Sequence, residues 1–204
     1  MYEYADKVIL FMRKRYIEIF NKYRSSLKID ELNVLNGSAK MYEELERVAE
    51  KGLLKIARRY YRGFGGKKND IDRDWLLDFL EDYEPTVKYV YLHEVDRKRA
   101  RFAEELIATA NKSEAFRTAM RYWNDMVTQF AILTADKAAL TAFKDSGVKK
   151  VKWYTVPDER RCDTCGELHG KVFSIDKVPP KPHWRCRCYL IPVRGTADDR
   201  DNKK

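Results

Sequence analysis

The sequence predicts an α+β protein, mainly helical over its first three-quarters, with a small antiparallel β region at the carboxyl end. Three observations carry that prediction. Apolar residues recur at intervals of three and four as far as residue 146, which is the helical period. After Gly147 the pattern changes to the alternation of a strand. All four cysteines lie between positions 162 and 188, so one short region carries a chemistry that the helical part lacks.

The elements follow in order. Ile9, Met12, Tyr16, Phe20 and Tyr23 form the stripe of a first helix. Ser38 is placed to cap a second, with Met41, Leu45, Val48, Ile56 and Tyr60 on its apolar side and Gly63-Phe64-Gly65-Gly66 as its stop. Asp70 is the expected cap of a short third helix bearing Ile71, Trp75, Leu76, Phe79 and Leu80, which Pro85 ends. A fourth helix beyond Pro85 carries Tyr89, Leu92, Phe102 and Leu106. Asn111 and Glu114 offer a reciprocal cap for the fifth, a long helix through Phe116, Met120, Trp123, Val127 and Phe130 to Phe143. These stripes predict a bundle core rather than a cofactor pocket. The run Arg97-Lys98-Arg99-Ala100-Arg101, flanked by Glu94, Asp96, Glu104 and Glu105, reads as a solvated, charge-paired face. Strands are predicted over Val148–Val156, Lys171–Ile175 and Cys188–Val193, with the Pro-rich Val178–Pro182 between the last two.

With 204 residues the chain can bury a core of its own, and 44% hydrophobic and 13% aromatic content argues against disorder despite 36% charged residues. No stretch approaches the roughly 20 consecutive apolar residues that span a bilayer, and the amino terminus does not read as a secretion signal, so neither membrane insertion nor export is expected. The net charge of +9 divides into +5 over residues 1–150 and +4 over the much shorter 151–204. A polyanionic partner suits that bias.

The cysteine spacing is the most informative feature. Cys162 and Cys165 are separated by two residues, which lets both sulfurs of a tight turn converge on one ion. About twenty residues on, His183, Cys186 and Cys188 supply a second half-site. Five donors compete for the four positions of a tetrahedral zinc ion. Cys162, Cys165, His183 and Cys186 are favoured because both pairs have the same gap, with Cys188 the rival for the last place. His169 belongs to the turn Leu168-His169-Gly170 and is the weaker candidate. Disulfides and free buried thiols are the alternatives to zinc. With four protein ligands the ion is structural, since no position is left for a reacting water.

The segments Trp153–Cys165, Leu168–Phe173 and Pro182–Cys188 closely resemble the Mu F-like domain of phage head morphogenesis proteins, also called minor head proteins. That resemblance implies a structural virion component inside the head, acting with the portal and the capsid interior during procapsid assembly in the host cytoplasm. Some members associate with DNA and influence its packaging or delivery, which makes double-stranded DNA an expected partner here. Around the half-sites, Arg160, Arg161, Arg185 and Arg187 are the candidate phosphate contacts, with Lys149, Lys150 and Lys152 nearby. Three parts are expected: a helical docking region over 1–147, the Mu F-like cysteine/histidine region over 148–195 and a polar tail over 196–204.

The competing reading is a zinc-stabilised endonuclease of the HNH kind. That chemistry needs a free histidine as general base and a second metal site. Only three histidines are present: His183 is assigned to zinc, His93 falls in a helical pattern, and His169 has no local His or Asn partner. No enzymatic activity is therefore expected. A DNA-binding regulator fits less well still, because no helix follows the cysteine region to enter a groove.

Overall fold

The computed structural model describes residues 2–28, 30–67, 71–81, 91–109, 111–156, 162–184 and 186–193. Within them the protein is mostly helical, with one small antiparallel sheet near the carboxyl end. Four long helices, α1 (Glu3–Ser26), α2 (Glu31–Gly63), α4 (Tyr91–Ala108) and α5 (Lys112–Asp145), pack around a shared core, and the short α3 (Arg73–Glu81) lies against α2 and α4. α1 runs antiparallel to α2, and α4 to α5, whereas α2 and α5 run parallel. On α1, Met12 meets Gly52 of α2 while Tyr23, further along, meets Glu44, further back. Tyr91 likewise stacks edge-on against Phe130, and Phe102 against Phe116.

The core is aromatic at its centre. Trp123 of α5 is fully buried and receives Tyr16 of α1 at 5.8 Å and Tyr42 of α2 at 5.5 Å, both nearly perpendicular to it. Such edge-to-face pairs add about 0.5–1.5 kcal/mol each beyond their buried area. Where α1 crosses α2, Gly52 makes room for the Met12 side chain. A Cβ at that position would lie 2.0 Å from the Sδ of the buried Met12. Alanine gains up to about 1 kcal/mol over glycine in a helix, but overpacking costs about 1–3 kcal/mol, so Gly52→Ala should lower stability. Chemical denaturation should show that loss, and in a Met12→Ala background, where the clash is gone, Gly52→Ala should cost nothing further. A stabilised Gly52→Ala protein would contradict the close approach.

Local signals account for most helix ends, with corrections. Asp30, not Ser38, caps α2: its Oδ1 accepts from the Asn33 N–H at 3.0 Å. Ser38 lies inside the helix, its hydroxyl donating to the Leu35 carbonyl, because the buried stripe already begins at Val34. Asp70 and Pro85 fall outside the described residues. Asp72 accepts from the Trp75 N–H at 2.9 Å at the start of α3. On α4, Tyr89 lies outside the described residues and Leu92 is exposed; Tyr91 and Val95 complete the buried stripe with Phe102 and Leu106. Only half of the predicted reciprocal cap forms on α5. Asn111 Oδ1 accepts from the Glu114 N–H, but the Asn111 N–H donates to Thr109 Oγ1 while Glu114 pairs with Arg117. The basic run on α4 is charge-paired: Arg97 and Lys98 meet Glu94, Arg99 meets Asp96 and Arg101 meets Glu105.

Beyond α5 the chain turns at Gly147, whose φ of 76° suits glycine, and enters β1 (Lys150–Tyr154). A short helix α6 (Asp163–Leu168) leads to β2 (Val172–Ser174) and then β3 (Tyr189–Pro192). β1 is the middle strand, antiparallel to both neighbours, with Val151 opposite Phe173 and Trp153 opposite Leu190. Alternation turns Lys150 and Lys152 outward and buries Val151 and Trp153. Val151 joins Ala139 and Phe143 of α5 and Ile175, which seats the sheet on the last turns of that helix. No described helix is long and apolar enough to cross a membrane.

Candidate metal centre

Two half-sites, each spanning a two-residue gap, build the site. Cys162 ends the segment before α6 in extended backbone, and its sulfur accepts from the Cys165 N–H at 3.3 Å. The predicted tight turn is therefore the first turn of a helix, with Cys162 as its cap. In the second half-site the Cys186 N–H donates to the His183 carbonyl at 3.3 Å, closing the other two-residue gap. All five predicted donors come together, in two overlapping triads: Cys162, Cys165 and His183, and Cys165, Cys186 and Cys188. Cys165 belongs to both. It is buried together with Cys186 and Cys188 beneath Trp153, while His183 stands exposed at the rim.

The donor set fits a tetrahedral ion on several counts. Two Zn–S bonds of about 2.3 Å at a tetrahedral angle put their sulfurs about 3.8 Å apart, whereas a disulfide holds them at about 2.05 Å. The sulfurs of Cys165 and Cys186 are 3.7 Å apart, and all four cysteines are free thiols. His183 is oriented as metal-binding imidazoles are. Its Nδ1 lies 2.8 Å from the Trp184 carbonyl oxygen, which can only accept, so Nδ1 carries the proton. In the neutral ring Nε2 is then the bare nitrogen, 3.1 Å from Cys165 Sγ. Burial pushes the Cys165 thiol up to about 12, and hydrogen bonding to Cys188 raises Cys186. The proton held by Cys186 pulls Cys188 down to about 5. A divalent ion bound among them would favour the thiolate form of several at once. Trp153 Nε1 is buried without a full hydrogen bond, yet it too favours the Cys188 anion.

His169 takes another role. Its Nδ1 accepts from the Thr155 N–H at 3.1 Å and its ring packs on Tyr154, so it braces the end of β1. Thr155 is buried, and its hydroxyl donates to the Cys165 carbonyl at 2.6 Å. Arg187 is exposed, whereas Arg160, Arg161 and Arg185 fall outside the described residues.

Sequence reasoning missed a polar group that ties this region to the helices. Lys181, in the Pro-rich segment, is almost buried and pairs with Asp136 of α5 at 2.8 Å. Its ammonium also donates to the carbonyl oxygens of Cys186 and Cys188 and to the Tyr2 hydroxyl. Tyr2 reaches Asp136 Oδ1 at 2.7 Å and the Cys188 carbonyl at 2.8 Å. Burial raises the Asp136 pKa and the Lys181 charge opposes that rise. The available signal was a lone carboxylate inside the apolar run Phe130–Phe143.

Fold and site together define a helical bundle whose terminal sheet is closed by a cysteine/histidine knuckle able to hold a metal. The model of the family described as Phage Mu protein F like protein matches residues 82–191, more than half of the chain, and the protein belongs to that family. The match takes in α4 and α5 as well as the cysteine region. Membership points to a phage head morphogenesis protein, in a family that is in general structural rather than enzymatic, and to association with the phage capsid. Comparison with curated proteins and with solved structures finds no match.

Proposed function

We propose that this protein is a minor head protein, a structural component of the virion that acts with the portal during procapsid assembly in the host cytoplasm. The observation that carries the reading is that the family match covers the region whose cysteines and His183 converge. In this reading the helical region 1–147 docks on the portal or the capsid interior, 148–195 is the cysteine/histidine β region of the Mu F-like match, and 196–204 is a tail. The residues proposed to hold the metal are Cys162, Cys165, His183 and Cys186. A zinc ion bound there would cross-link the two half-sites and, with its four positions filled by protein, leave none for a reacting water. The chain's own residues do the rest: Trp184 orients His183, Thr155 holds α6 to the end of β1, and Lys181 gathers the carbonyls of the second half-site.

The test is coexpression with the portal and coat proteins of the same phage, followed by purification of procapsids. The protein should cosediment at a copy number far below that of the coat, and should be lost when the portal is omitted. Particles that form with a portal but exclude the protein would overturn the reading.

Contact with packaged DNA is the finer part of the proposal. Arg160, Arg161, Arg185 and Arg187 flank the half-sites, and Lys150 and Lys152 face outward on β1. Affinity for duplex DNA should fall as salt rises, and each arginine replaced by alanine should reduce that slope by about 1. Retention that is absent, or independent of salt, would remove these arginines from the proposal.

A further inference from the structure

We infer that the groove between α1 and α2 is a docking site for an acidic amphipathic helix of a partner protein. This extends the head-assembly reading by naming a surface and the chemistry of its occupant, and it rests on that reading only for where the partner is met. The groove encloses a volume of about 650 Å³ at the end of the bundle where α1 begins. Val8, Met12, Val48 and Leu54 form its apolar floor. Phe11 stands on one wall 59% exposed, a large apolar side chain that the fold itself leaves uncovered, with Tyr4 one stretch of helix earlier. Lining positions run from 4 to 15 on α1 and from 48 to 58 on α2, about 15 Å of each helix, which is the length of three helical turns.

Charge selects the occupant. The rim is formed by Lys7, Arg15, Lys51, Lys55 and Arg58, and none of the described lining residues is acidic; Lys7 and Arg15 pair with Glu3 and Glu18 outside the groove and Arg58 donates to the Ile71 carbonyl, so Lys51 and Lys55 are the cations that select the occupant. Lys55 lies over the Phe11 ring and Arg59 over Tyr4, so the cations stand directly beside the exposed aromatics. An amphipathic helix meets such a trough with apolar anchors spaced three and four residues apart and carboxylates along both flanks. A second copy of this chain placed symmetrically would set cations against cations. Nucleic acid would use the rim but leave the Phe11 wall and the apolar floor without a role.

The experiment uses the full chain and a fluorescent helical peptide of about 18 residues, with leucines along one face and glutamates beside them, together with the same peptide carrying lysine for every glutamate. Anisotropy at moderate salt should show binding of the acidic peptide and not of the basic one. Lys51→Glu with Lys55→Glu should weaken binding on the order of tenfold, and Phe11→Ala about fivefold. All three side chains are exposed, so the melting temperature should stay unchanged. The inference is overturned if the acidic peptide fails to bind, binds no better than the basic one, or is indifferent to these substitutions. It also falls if duplex DNA or phosphatidylglycerol vesicles, and not the peptide, lose binding to the charge-reversed protein, since the surface then belongs to nucleic acid or lipid. Procapsid incorporation is measured separately, so a failed groove leaves the assembly reading standing.

Discussion

Replacing Cys165 with serine is expected to abolish stoichiometric metal binding and to unfold the carboxyl-terminal sheet while sparing the helical bundle. Cys165 is the donor common to both triads, so without it neither triad remains. Structural zinc contributes on the order of 10 kcal/mol of binding free energy to small domains, and that free energy is then folding free energy. The region's sheet is three short strands, and apart from Val151 and Ile175 against α5 its buried cluster is Trp153 with three cysteines, so the metal carries much of its stability. Elemental analysis of protein purified without chelator should give about one zinc per wild-type chain and none for the variant. Hydrogen exchange should lose protection over 150–192 and keep it around Trp123. Metal at the wild-type level in Cys165→Ser, or two disulfides and no metal in the wild type, would sink the knuckle.

The same assay separates the rivals for the fourth position. The Cys186 sulfur lies 3.7 Å from that of Cys165, a tetrahedral edge; Cys188 Sγ is also close to Cys165 but meets the Thr155 hydroxyl at 3.4 Å, a contact that serine can reproduce. Cys186→Ser should therefore lose the metal and Cys188→Ser retain it. The reverse outcome would exchange their roles.

The second large effect is expected at Lys181. Lys181→Met leaves the Asp136 carboxylate in a nearly buried site without its cation, and breaking such a pair costs about 3–5 kcal/mol. The loss should appear in urea denaturation of the whole chain, because the pair joins α5 to the segment bearing Cys186 and Cys188. Adding Asp136→Asn should recover part of it, since the stranded charge is then gone. If the single variant is as stable as the wild type, the Tyr2–Asp136–Lys181 group is not what couples the bundle to the knuckle.

Much of this was legible in the chain because the signals are local. The stripes of α1 and α5 were readable because burial of one helix face repeats every three to four residues. The half-sites were readable because a two-residue gap converges donors whatever surrounds it. Errors arose where two local readings competed. Ser38 is a good capping residue by type, yet Asp30 stands at the true end of the buried stripe, and Ser38 falls inside. Leu92 is a strong apolar residue one position out of register with Tyr91, Val95 and Phe102, so packing leaves it exposed.

By itself the sequence determined the helical and strand periods, the convergence of five donors and the membership that their spacing announces, since each depends on residues near one another along the chain. Only the tertiary structure decided that Tyr2 and Lys181 meet over Asp136, that β1 is the central strand, and that α1 and α2 leave a basic-rimmed apolar trough. The Tyr2 hydroxyl reaches the carbonyl of a residue 186 positions away. No pattern of neighbouring residues encodes such a contact; it arises when the apolar faces of several elements are buried against one another and the polar groups carried with them must find partners.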